Sequence, residues 1–360
     1  MKIVTLGAPT VIMSNPLSRH NYFAWPTATR LQNGRIAVVA SGFRLRHICP
    51  FGKTVISYSD DDGQTYTAPA PVVDTVLDDR DGGITPFDKT GVIVTSFNNT
   101  ADMQRSHAAD GYSLAYLDTV TPEKEADALG ATFRISRDCG VTFGPLYKSP
   151  VTSPHGPIQL SDGTILWVGR VFSPTDALQP NVDRICSYRM DPETGNMTYL
   201  GEIENIQRDG QNWMSCEPHA IELSDGRILA LIRVDYKCED RVLTLFGSES
   251  SDGGKTWSRP KQILERAGGA PPHLFRHSSG TLICTYGHRK GPFGIKAMFS
   301  RDEGKTWDTD HELWMDGVSW DLGYPSTVET ENGDLLTIFY AHLTPDEPAV
   351  ILQQRWRLEQ

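Results

Sequence analysis

The sequence predicts an all-β protein, a six-bladed β-propeller with four antiparallel strands in each blade. Two repeats indicate this fold, and they are out of phase with each other along the 360 residues. Glycine (32) and proline (23) are plentiful, as expected where tight turns join many strands. A closed β architecture that grows by repetition allows a chain of this length to form one domain, which we expect to span 1–360.

The first repeat is an eight-residue turn with the pattern Ser-x-Asp-x-Gly-x-Thr-aromatic. Its aspartate can accept hydrogen bonds from backbone amides of the same turn, and its glycine can adopt a positive φ. We expect the aromatic ring to pack beneath the turn, which then joins two strands as a β-hairpin. The four copies are SDDDGQTY (59–66), SRDCGVTF (136–143), SSDGGKTW (250–257) and SRDEGKTW (300–307).

The second repeat is a pair of strand-like segments around a turn glycine. It occurs six times, at intervals of roughly 50 to 70 residues, a period typical of propeller blades. Each unit has room for four strands, with the aspartate turn joining the outer two. The turn glycines are Gly34, Gly91, Gly163, Gly226, Gly280 and Gly333.

Three parts of the chain depart from this simple repeat. The third unit has a degenerate outer turn, MDPETGNM (190–197), and the second unit carries an insertion, 98–130, which we expect to be a polar surface loop. The sixth unit is completed by AVILQQRWRL (349–358) and by KIVTLG (2–7). Pairing of the two chain ends would close the ring and remove an open sheet edge.

Composition and charge argue against several classes of function. The net charge of −11 gives no support for binding nucleic acid, and no apolar run reaches the length of a membrane span. The N-terminal segment MKIVTLGAPTVIMSNP does not resemble a signal peptide. The six cysteines are scattered without a CxxC pair, which is typical of reduced thiols. We therefore expect a cytoplasmic protein that needs no cofactor.

The start of the first strand in each blade emerges at the same face of the channel as the end of the second strand. Counting from the turn glycine therefore aligns the side chains of this face. A glutamate beside a phenol can remove its proton, and arginines pair bidentately with carboxylates, so the alignment predicts a site for an acidic ligand. Nine residues before the glycine stand Trp25, Gly82, Pro154, Glu217, Pro271 and Tyr324, and seven after it stand Ser41, Asn98, Arg170, Arg233, Gly287 and Tyr340.

The chain resembles the sialidase superfamily of six-bladed propellers over essentially its whole length. The aspartate turns carry this resemblance, together with EPHAIELSDGRILALIR (217–233), HRKGPFGIKAMFSRDEGKTW (288–307) and YPSTVETENGDLLTIFY (324–340). The resemblance implies a tyrosine nucleophile, a glutamate partner, an aspartate acid/base and three arginines that hold the substrate's carboxylate. By position it implies Tyr324 as the nucleophile, Glu217 as its partner, and Arg233 and Arg289 as two of the arginines.

Two positions depart from the pattern of that family. Ala24-Trp25-Pro26 stands where an arginine is usual, and FRLRHICPFGK (43–53) holds no carboxylate where the acid is usual. We expect Arg44 or Arg46 to replace the arginine. We expect His47, or Asp81 in DDRDGG, to replace the acid.

The other candidates for contact with a substrate are Trp25, Arg80, Arg170 and three histidines on adjacent blades. Histidines that converge on one axis could ligate zinc, but hydrogen-bonded channel histidines are more usual, and we expect no metal site. The three histidines are His155, His219 and His273.

The leading functional prediction is an exo-acting glycoside hydrolase whose carbohydrate substrate carries a carboxylate. A first alternative is a polysaccharide lyase, in which a histidine or tyrosine removes the proton beside a uronate carboxylate. The unsaturated product of a lyase absorbs in the ultraviolet, which separates these two. A second alternative is a propeller that binds acidic glycans without turnover.

Overall fold

The computed structural model describes residues 1–173, 184–208, 211–236, 242–264, 268 and 271–359. Within these ranges the predicted fold is confirmed: six blades, each an antiparallel sheet of four strands, follow one another along the chain. The first strands in sequence, β1 (Lys2–Thr5) and β2 (Thr10–Met13), both pair with the last strand of the chain.

The first three blades use the N-terminal half of the chain. In blade three the inner strand is interrupted, so two short segments, β11 and β12, both pair with β13. Blade one comprises β3 (Tyr22–Arg30), β4 (Ile36–Arg44), β5 (Lys53–Ser59) and β6 (Ala70–Val73); blade two β7 (Ile84–Phe87), β8 (Gly91–Phe97), β9 (Ala131–Ser136) and β10 (Tyr147–Ser149); blade three β11 (Val151–Thr152), β12 (Ile158–Gln159), β13 (Ile165–Val171), β14 (Ile185–Met190) and β15 (Met197–Ile203).

The last three blades follow a small hairpin formed by β16 (Gln207–Arg208) and β17 (Gln211–Asn212). Blade six receives its outermost strand from β1, so the two ends of the chain close the ring as predicted. Blade four comprises β18 (Met214–Glu222), β19 (Ile228–Tyr236), β20 (Val242–Ser250) and β21 (Lys261–Leu264); blade five β22 (His273–Arg276), β23 (Leu282–His288), β24 (Phe293–Ser300) and β25 (Asp308–Gly317); blade six β26 (Gly323–Glu329), β27 (Leu335–Ala341) and β28 (Val350–Glu359) with β1.

The hydrophobic core lies between the blades. Each neighbouring pair of blades shares one cluster of buried apolar side chains, including the pair formed by blades six and one. The strands read as nearly continuous apolar runs because both faces of each sheet are covered. The core is thus divided into layers around the ring, which explains how 360 residues form one propeller.

The aspartate turns adopt the expected hydrogen bonds. Asp302 accepts from Thr306 through the backbone N–H (2.9 Å) and the hydroxyl (2.6 Å), while the buried Ser300 hydroxyl donates to Asp302 (2.8 Å) and accepts from Gly304 N–H (2.9 Å). Trp307 packs under the turn and donates from Nε1 to the Gly304 carbonyl. The bonds among serine, aspartate, threonine and glycine recur in the other three copies, where those from threonine lower the aspartate pKa to about 2, and the indole bond recurs at Trp257.

The insertion in blade two is helical, which corrects the prediction of a surface loop over 98–130. It forms α1 (Ala101–His107), α2 (Gly111–Leu117) and α3 (Pro122–Ala128). Each helix begins at a side-chain cap, supplied by Thr100, Asp110 and Thr121. Apolar side chains of the three helices pack on Leu77, and this burial stabilises helices that are too short to be stable alone.

Two further observations concern the cysteines and the helices. The five described cysteines are free and buried, and Cys238 lies outside the described residues. In the part of the chain that the structure describes, no helix has the length and apolar character needed to cross a membrane.

Candidate active site

The inner strands of blades one, four and six each contain a bulge at the residue that the alignment singled out. Trp25, Glu217 and Tyr324 have positive φ angles of 53°, 50° and 49°, which side chains other than glycine rarely adopt. The strand register shifts at each position. A proline follows each of them and leaves no N–H unpaired at the bulge. Such bulges re-aim side chains, and strained residues of this kind cluster at functional sites.

Glu217 and Tyr324 are in direct contact although they belong to different blades. The Tyr324 hydroxyl donates a hydrogen bond of 2.5 Å to Glu217 Oε1, and Arg233 Nη1 donates one of 2.7 Å to Oε2. Asp235 holds the other side of Arg233, accepting from Nε at 3.1 Å and from Nη2 at 2.9 Å. One oxygen of Glu217 is thus bound by a phenol and the other by a cation.

The phenol of Tyr324 keeps its proton in this arrangement. Burial, and then the charge of Glu217, raise the pKa of Tyr324 well above its ordinary value, while Arg233 and Arg289 act in the opposite direction. Tyr324 is only 4% exposed, so bulk water does not take its proton. Glu217 is the base within hydrogen-bond reach, as the activation of a tyrosine nucleophile requires.

Arg289 lies on the other side of the tyrosine, half-buried. Its Nε donates to the Leu322 carbonyl at 2.7 Å and its Nη2 to the Tyr340 hydroxyl at 2.8 Å. The guanidinium carbon lies 5.5 Å from the centre of the Tyr324 ring. Among the described residues Nη1 has no hydrogen-bond partner, so this arginine has donors left for a ligand.

Asp321 is the centre of a second hydrogen-bond network beside the tyrosine. Oδ1 accepts from Tyr340 (2.9 Å) and from His47 Nδ1 (3.1 Å), and Oδ2 accepts from Tyr22 (2.8 Å) and from His342 Nε2 (3.1 Å). Burial alone would raise the pKa of Asp321, but the hydrogen bonds from His342 and His47 outweigh it and hold the pKa well below its usual range. Asp321 is therefore an ionised hub for two histidines and two tyrosines.

Trp25 fills the space between these two networks. Its ring lies 6.4 Å from that of Tyr324 and 4.9 Å from that of His47, measured between ring centres. The guanidinium of Arg80 lies 4.3 Å from the indole centre, and Arg80 Nε lies 3.7 Å from Asp81 Oδ1. Trp25, Arg80 and Asp81 thus pack together in the buried space near Tyr324, and the charge of Asp81 adds to the rise in the Tyr324 pKa.

Arg44, the last residue of β4, and Arg46 both pair with residues other than the tyrosine. Arg44 has 0% exposure and forms an ion pair with Asp78 at 2.6 Å, so its guanidinium is covered by protein, and its contact with a substrate stays a prediction. Arg46 pairs with Asp110 at 2.9 Å, at the cap of α2, and so joins blade one to the helical insertion. Arg170 lies half-buried near the end of β13.

The three histidines lie together inside the channel, and their contact with a substrate stays a prediction. Their ring centres are 4.8–5.2 Å apart, and burial lowers the pKa of all three. Nδ1 of His219 accepts from Leu274 N–H and that of His273 from Thr327 N–H, so both rings tie neighbouring blades together. His155 contacts the Thr27 hydroxyl at 3.0 Å. Among the described residues no group of side chains could hold a metal ion.

Sequence reasoning missed Asp321 and Tyr22 as site residues, and a signal for them was present. Both stand twelve residues before the turn glycine of their unit, three positions ahead of Tyr324 and Trp25. Extending the same count by three residues places both side chains in the buried hydrogen-bond network near Tyr324. Their direct hydrogen bond joins residues 299 positions apart, through the contact of blades one and six.

Comparison with known proteins gives one family and several structural neighbours. The model of the BNR repeat-like domain family matches residues 113–337. No curated protein is similar enough to the chain to count as a match.

Three solved structures illustrate the likeness of fold. A protein of unknown function from Dyadobacter fermentans has a TM-score of 0.78 at 20% identity, covering 99% of both chains. The NanB sialidase of Streptococcus pneumoniae has a TM-score of 0.70 at 13% identity, covering 98% of this chain and 71% of its own. The intramolecular trans-sialidase of Ruminococcus gnavus has a TM-score of 0.64 at 15% identity, covering 98% of this chain and 99% of its own. At these identities the likeness shows the fold.

Proposed function

The chain belongs to the BNR repeat-like domain family and has a sialidase-like propeller fold, and on this premise we propose that it is a glycoside hydrolase that removes an acidic sugar from the end of a glycan. One observation carries the proposal. The Tyr324 hydroxyl donates to Glu217 at 2.5 Å, while Arg233 holds the other oxygen of that carboxylate at 2.7 Å. This is the arrangement of a nucleophile with its base and a third group that orients the base.

The chemistry follows from the charges in the pocket. A neutral phenol can approach an anomeric carbon that carries a carboxylate, whereas a carboxylate nucleophile would be repelled by it. As the phenol oxygen forms its bond to the anomeric carbon, its proton passes to Glu217. The glycosidic bond breaks, and its electron pair leaves with the departing oxygen. A second displacement by water returns the tyrosine and retains the configuration of the sugar.

Arg289 is the residue best placed to hold the substrate's carboxylate. Its Nε and Nη2 are fixed by Leu322 and Tyr340, which leaves Nη1 and its two protons for a ligand. Arg233 has three of its five donor protons engaged by Glu217 and Asp235. We therefore assign the main carboxylate contact to Arg289, and to Arg233 the orientation of Glu217.

The test combines Tyr324→Phe and Glu217→Gln with a panel of 4-methylumbelliferyl glycosides of sialic, other ulosonic and uronic acids. We expect the wild-type protein to release the fluorophore from at least one of them and each variant to lose at least ~10³-fold in kcat. Tyr199→Phe, an exposed tyrosine in blade three, is the control and should keep wild-type activity. Full activity of Tyr324→Phe, or binding of these sugars without any turnover, would contradict the proposal.

One observation favours a uronate lyase as a second candidate. Burial, opposed by the hydrogen bond that His47 donates to Asp321, lowers the pKa of His47, so its imidazole is largely neutral near pH 7 and able to accept a proton. A lyase would use such a base on the carbon beside the carboxylate, with Arg289 binding the carboxylate itself. Incubation with uronate-containing polysaccharides should then give a product that absorbs in the ultraviolet. A reducing sugar formed without that absorbance supports the hydrolase.

A further inference from the structure

We propose that His47 is the acid/base group of this reaction and that Asp321, itself paired with His342, positions it; the inference rests on the proposed glycoside hydrolase. No residue of the segment after β4 is a carboxylate, and His47 is the residue of that segment that reaches the pocket beside Trp25. Asp81 is the other candidate, but its side chain is only 8% exposed and lies against Arg80. The side chain of His47 is 38% exposed.

The hydrogen bonds of His47 fix its orientation. Nδ1 lies 3.1 Å from Asp321 Oδ1, and because a carboxylate can only accept, this nitrogen carries the proton and donates. The remaining nitrogen, Nε2, forms no hydrogen bond within the part of the chain that the structure describes. The edge-on contact with Trp25, at 4.9 Å and 87°, holds the ring plane. Nε2 is thus the atom that can exchange a proton with a substrate.

The position of His47 suits a leaving group that departs across the pocket from the nucleophile. The indole of Trp25 lies between the rings of Tyr324 and His47. Its centre is 6.4 Å from the ring centre of Tyr324 and 4.9 Å from that of His47. On the far side His47 faces Trp320, 6.2 Å away and 57% exposed at the rim. The glycosidic oxygen therefore has a proton donor on the side that opens to solvent, where the rest of the glycan must lie.

His342 explains how Asp321 can serve this role in both protonation states of His47. Its Nδ1 lies 2.6 Å from the Glu347 carbonyl and its Nε2 3.1 Å from Asp321 Oδ2. Both partners can only accept, so both nitrogens carry protons and His342 is an imidazolium. The hydrogen bond to Asp321 accordingly raises the pKa of His342. The charge of Asp321 is balanced by His342, and Tyr22 and Tyr340 complete its hydrogen bonds without adding charge.

The charged groups around His47 act in opposite directions. Burial lowers its pKa most, the hydrogen bond and charge of Asp321 raise it, and Arg80 and Arg44 lower it. Tyr22, whose hydroxyl lies 3.3 Å from Nδ1, is neutral because burial raises its own pKa well above the ordinary value. His47 therefore gains a proton only in mildly acidic solution. The protonated form, which can act as the general acid, is present only there.

The proton balance closes over one turnover. In the first step His47 Nε2–H gives its proton to the glycosidic oxygen, which leaves as an alcohol with the electron pair of the broken bond, while Tyr324 bonds to the sugar and passes its proton to Glu217. In the second step neutral His47 takes a proton from water, whose oxygen bonds to the anomeric carbon. The electron pair of the tyrosyl bond returns to the Tyr324 oxygen, which recovers its proton from Glu217.

The first test measures how the loss caused by His47→Gln depends on the leaving group. A methyl glycoside of the preferred sugar needs a proton donor, and we expect kcat/KM for it to fall by ~10²–10⁴-fold. The 4-methylumbelliferyl group leaves without protonation, so kcat/KM for its glycoside should fall by no more than ~10-fold. Azide can attack the tyrosyl intermediate without help from a base, so it should speed the second step of the variant's reaction. His107→Gln, on the exposed face of α1, is the control and should behave as wild type.

Equal losses on both substrates would overturn the assignment of His47 while leaving the hydrolase intact. No turnover of any acidic glycoside by the wild-type protein would instead overturn the proposed function itself. Circular dichroism and thermal unfolding of each variant establish that the ring is folded before rates are compared.

The second test concerns Asp321 as a positioning residue. Asp321→Asn removes the charge that raises the pKa of His47, so the limb of kcat/KM that falls with rising pH should move to lower pH. A purely structural role would lower activity at all pH values without moving this limb. An unmoved limb in a folded Asp321→Asn variant contradicts the positioning role.

Discussion

Ala24 stands at the position where the sialidase-like pattern has an arginine, and the surroundings of the next residue, Trp25, show where the nearest positive charge lies. The guanidinium groups of Arg44 and Arg80 lie 4.8 Å and 4.3 Å from the indole centre, within the range of cation–π attraction. The positive charge of these two arginines therefore lies against the indole of Trp25. The indole and the acidic partners Asp78 and Asp81 separate that charge from a ligand. For the proposed function, we therefore expect recognition of the substrate's carboxylate to depend on Arg289.

Replacement of Arg289 by lysine should weaken substrate binding more than it slows the chemistry. A lysine keeps the charge but loses the planar fork that holds Leu322 and Tyr340 while offering Nη1 to the ligand. We expect KM for acidic glycosides to rise by ~10–100-fold with a smaller change in kcat, measured by steady-state kinetics. Arg301→Lys, on the exposed side of an aspartate turn, is the matched control. An unchanged KM would show that another group holds the carboxylate.

The pair of Asp321 and His342 should make the stability of the protein depend on pH in a defined direction. The pKa of His342 is raised in the folded protein, so its contribution is complete below its ordinary pKa of 6.5 and is lost as the pH rises through the folded value. The pKa of Asp321 is lowered from 3.8, so its contribution is present above that value and is lost only in strong acid. Both contributions coexist in mildly acidic solution.

We therefore expect His342→Gln to cost on the order of 1 kcal/mol near pH 6, after allowance for solvent screening, and less near pH 9. Thermal unfolding of variant and wild type across this range measures the difference. An equal loss at both pH values would indicate that the imidazolium charge is not what stabilises the pair.

At the scale of the element, the aspartate turns show how a short pattern determines a local structure. Each copy buries one serine hydroxyl, at 1–2% exposure, which donates to the aspartate and accepts from the glycine N–H. All partners lie within eight residues, so the sequence contains everything that the turn needs. The turns lie between the outer two strands and far from Tyr324 along each blade, which assigns them to stability.

Ser300→Ala should destabilise the protein without changing its activity. It leaves the Gly304 N–H and one aspartate oxygen without their buried partner, a loss of about 1–3 kcal/mol. Denaturant unfolding should give similar values for the equivalent changes of Ser59, Ser136 and Ser250, because the four turns have the same bonds. A wide spread among the four, or a change in kcat/KM, would contradict the view that the turns act as equivalent structural units.

The elements that the sequence does not predict are those whose stability comes from distant contacts. The helices of the insertion have readable caps at Thr100, Asp110 and Thr121, but each has only seven residues and is stable only because it packs on Leu77. The interruption between β11 and β12 likewise depends on the close approach of Gly156 to Gly83 of the preceding blade. Neither contact can be inferred from local pattern.

At the scale of the molecule, the candidate site lies where the ring closes. Blade one provides Tyr22, Trp25 and His47, and blade six provides Asp321 and Tyr324, with Glu217 reaching them from blade four. Counting from turn glycines predicts that Glu217, Arg233 and Tyr324 share one face, because each blade repeats the same geometry. The nine-residue count does not by itself predict the Asp321 network, because Asp321 precedes β26, His47 and His342 follow β4 and β27, and these residues meet only where the first blade contacts the last.

The outer strand of blade six should therefore affect the stability of the ring that holds the site together. Directly after β1, the N–H of Leu6 donates to the Arg355 carbonyl of β28. Backbone N–H groups of alternate residues in an antiparallel strand point the same way, so the N–H of Val4 also points to β28 and that of Thr5 points away. Val4→Pro removes a bond that closes the ring, whereas Thr5→Pro removes none. We expect Val4→Pro to be less stable than Thr5→Pro by about 1–2 kcal/mol.

Below its lower melting temperature Val4→Pro should keep full activity, and on heating activity and fold should disappear together. Thermal unfolding monitored in parallel with hydrolysis of the fluorogenic substrate measures both quantities, and equal stability of the two variants would show that pairing of the chain ends does not hold the ring closed.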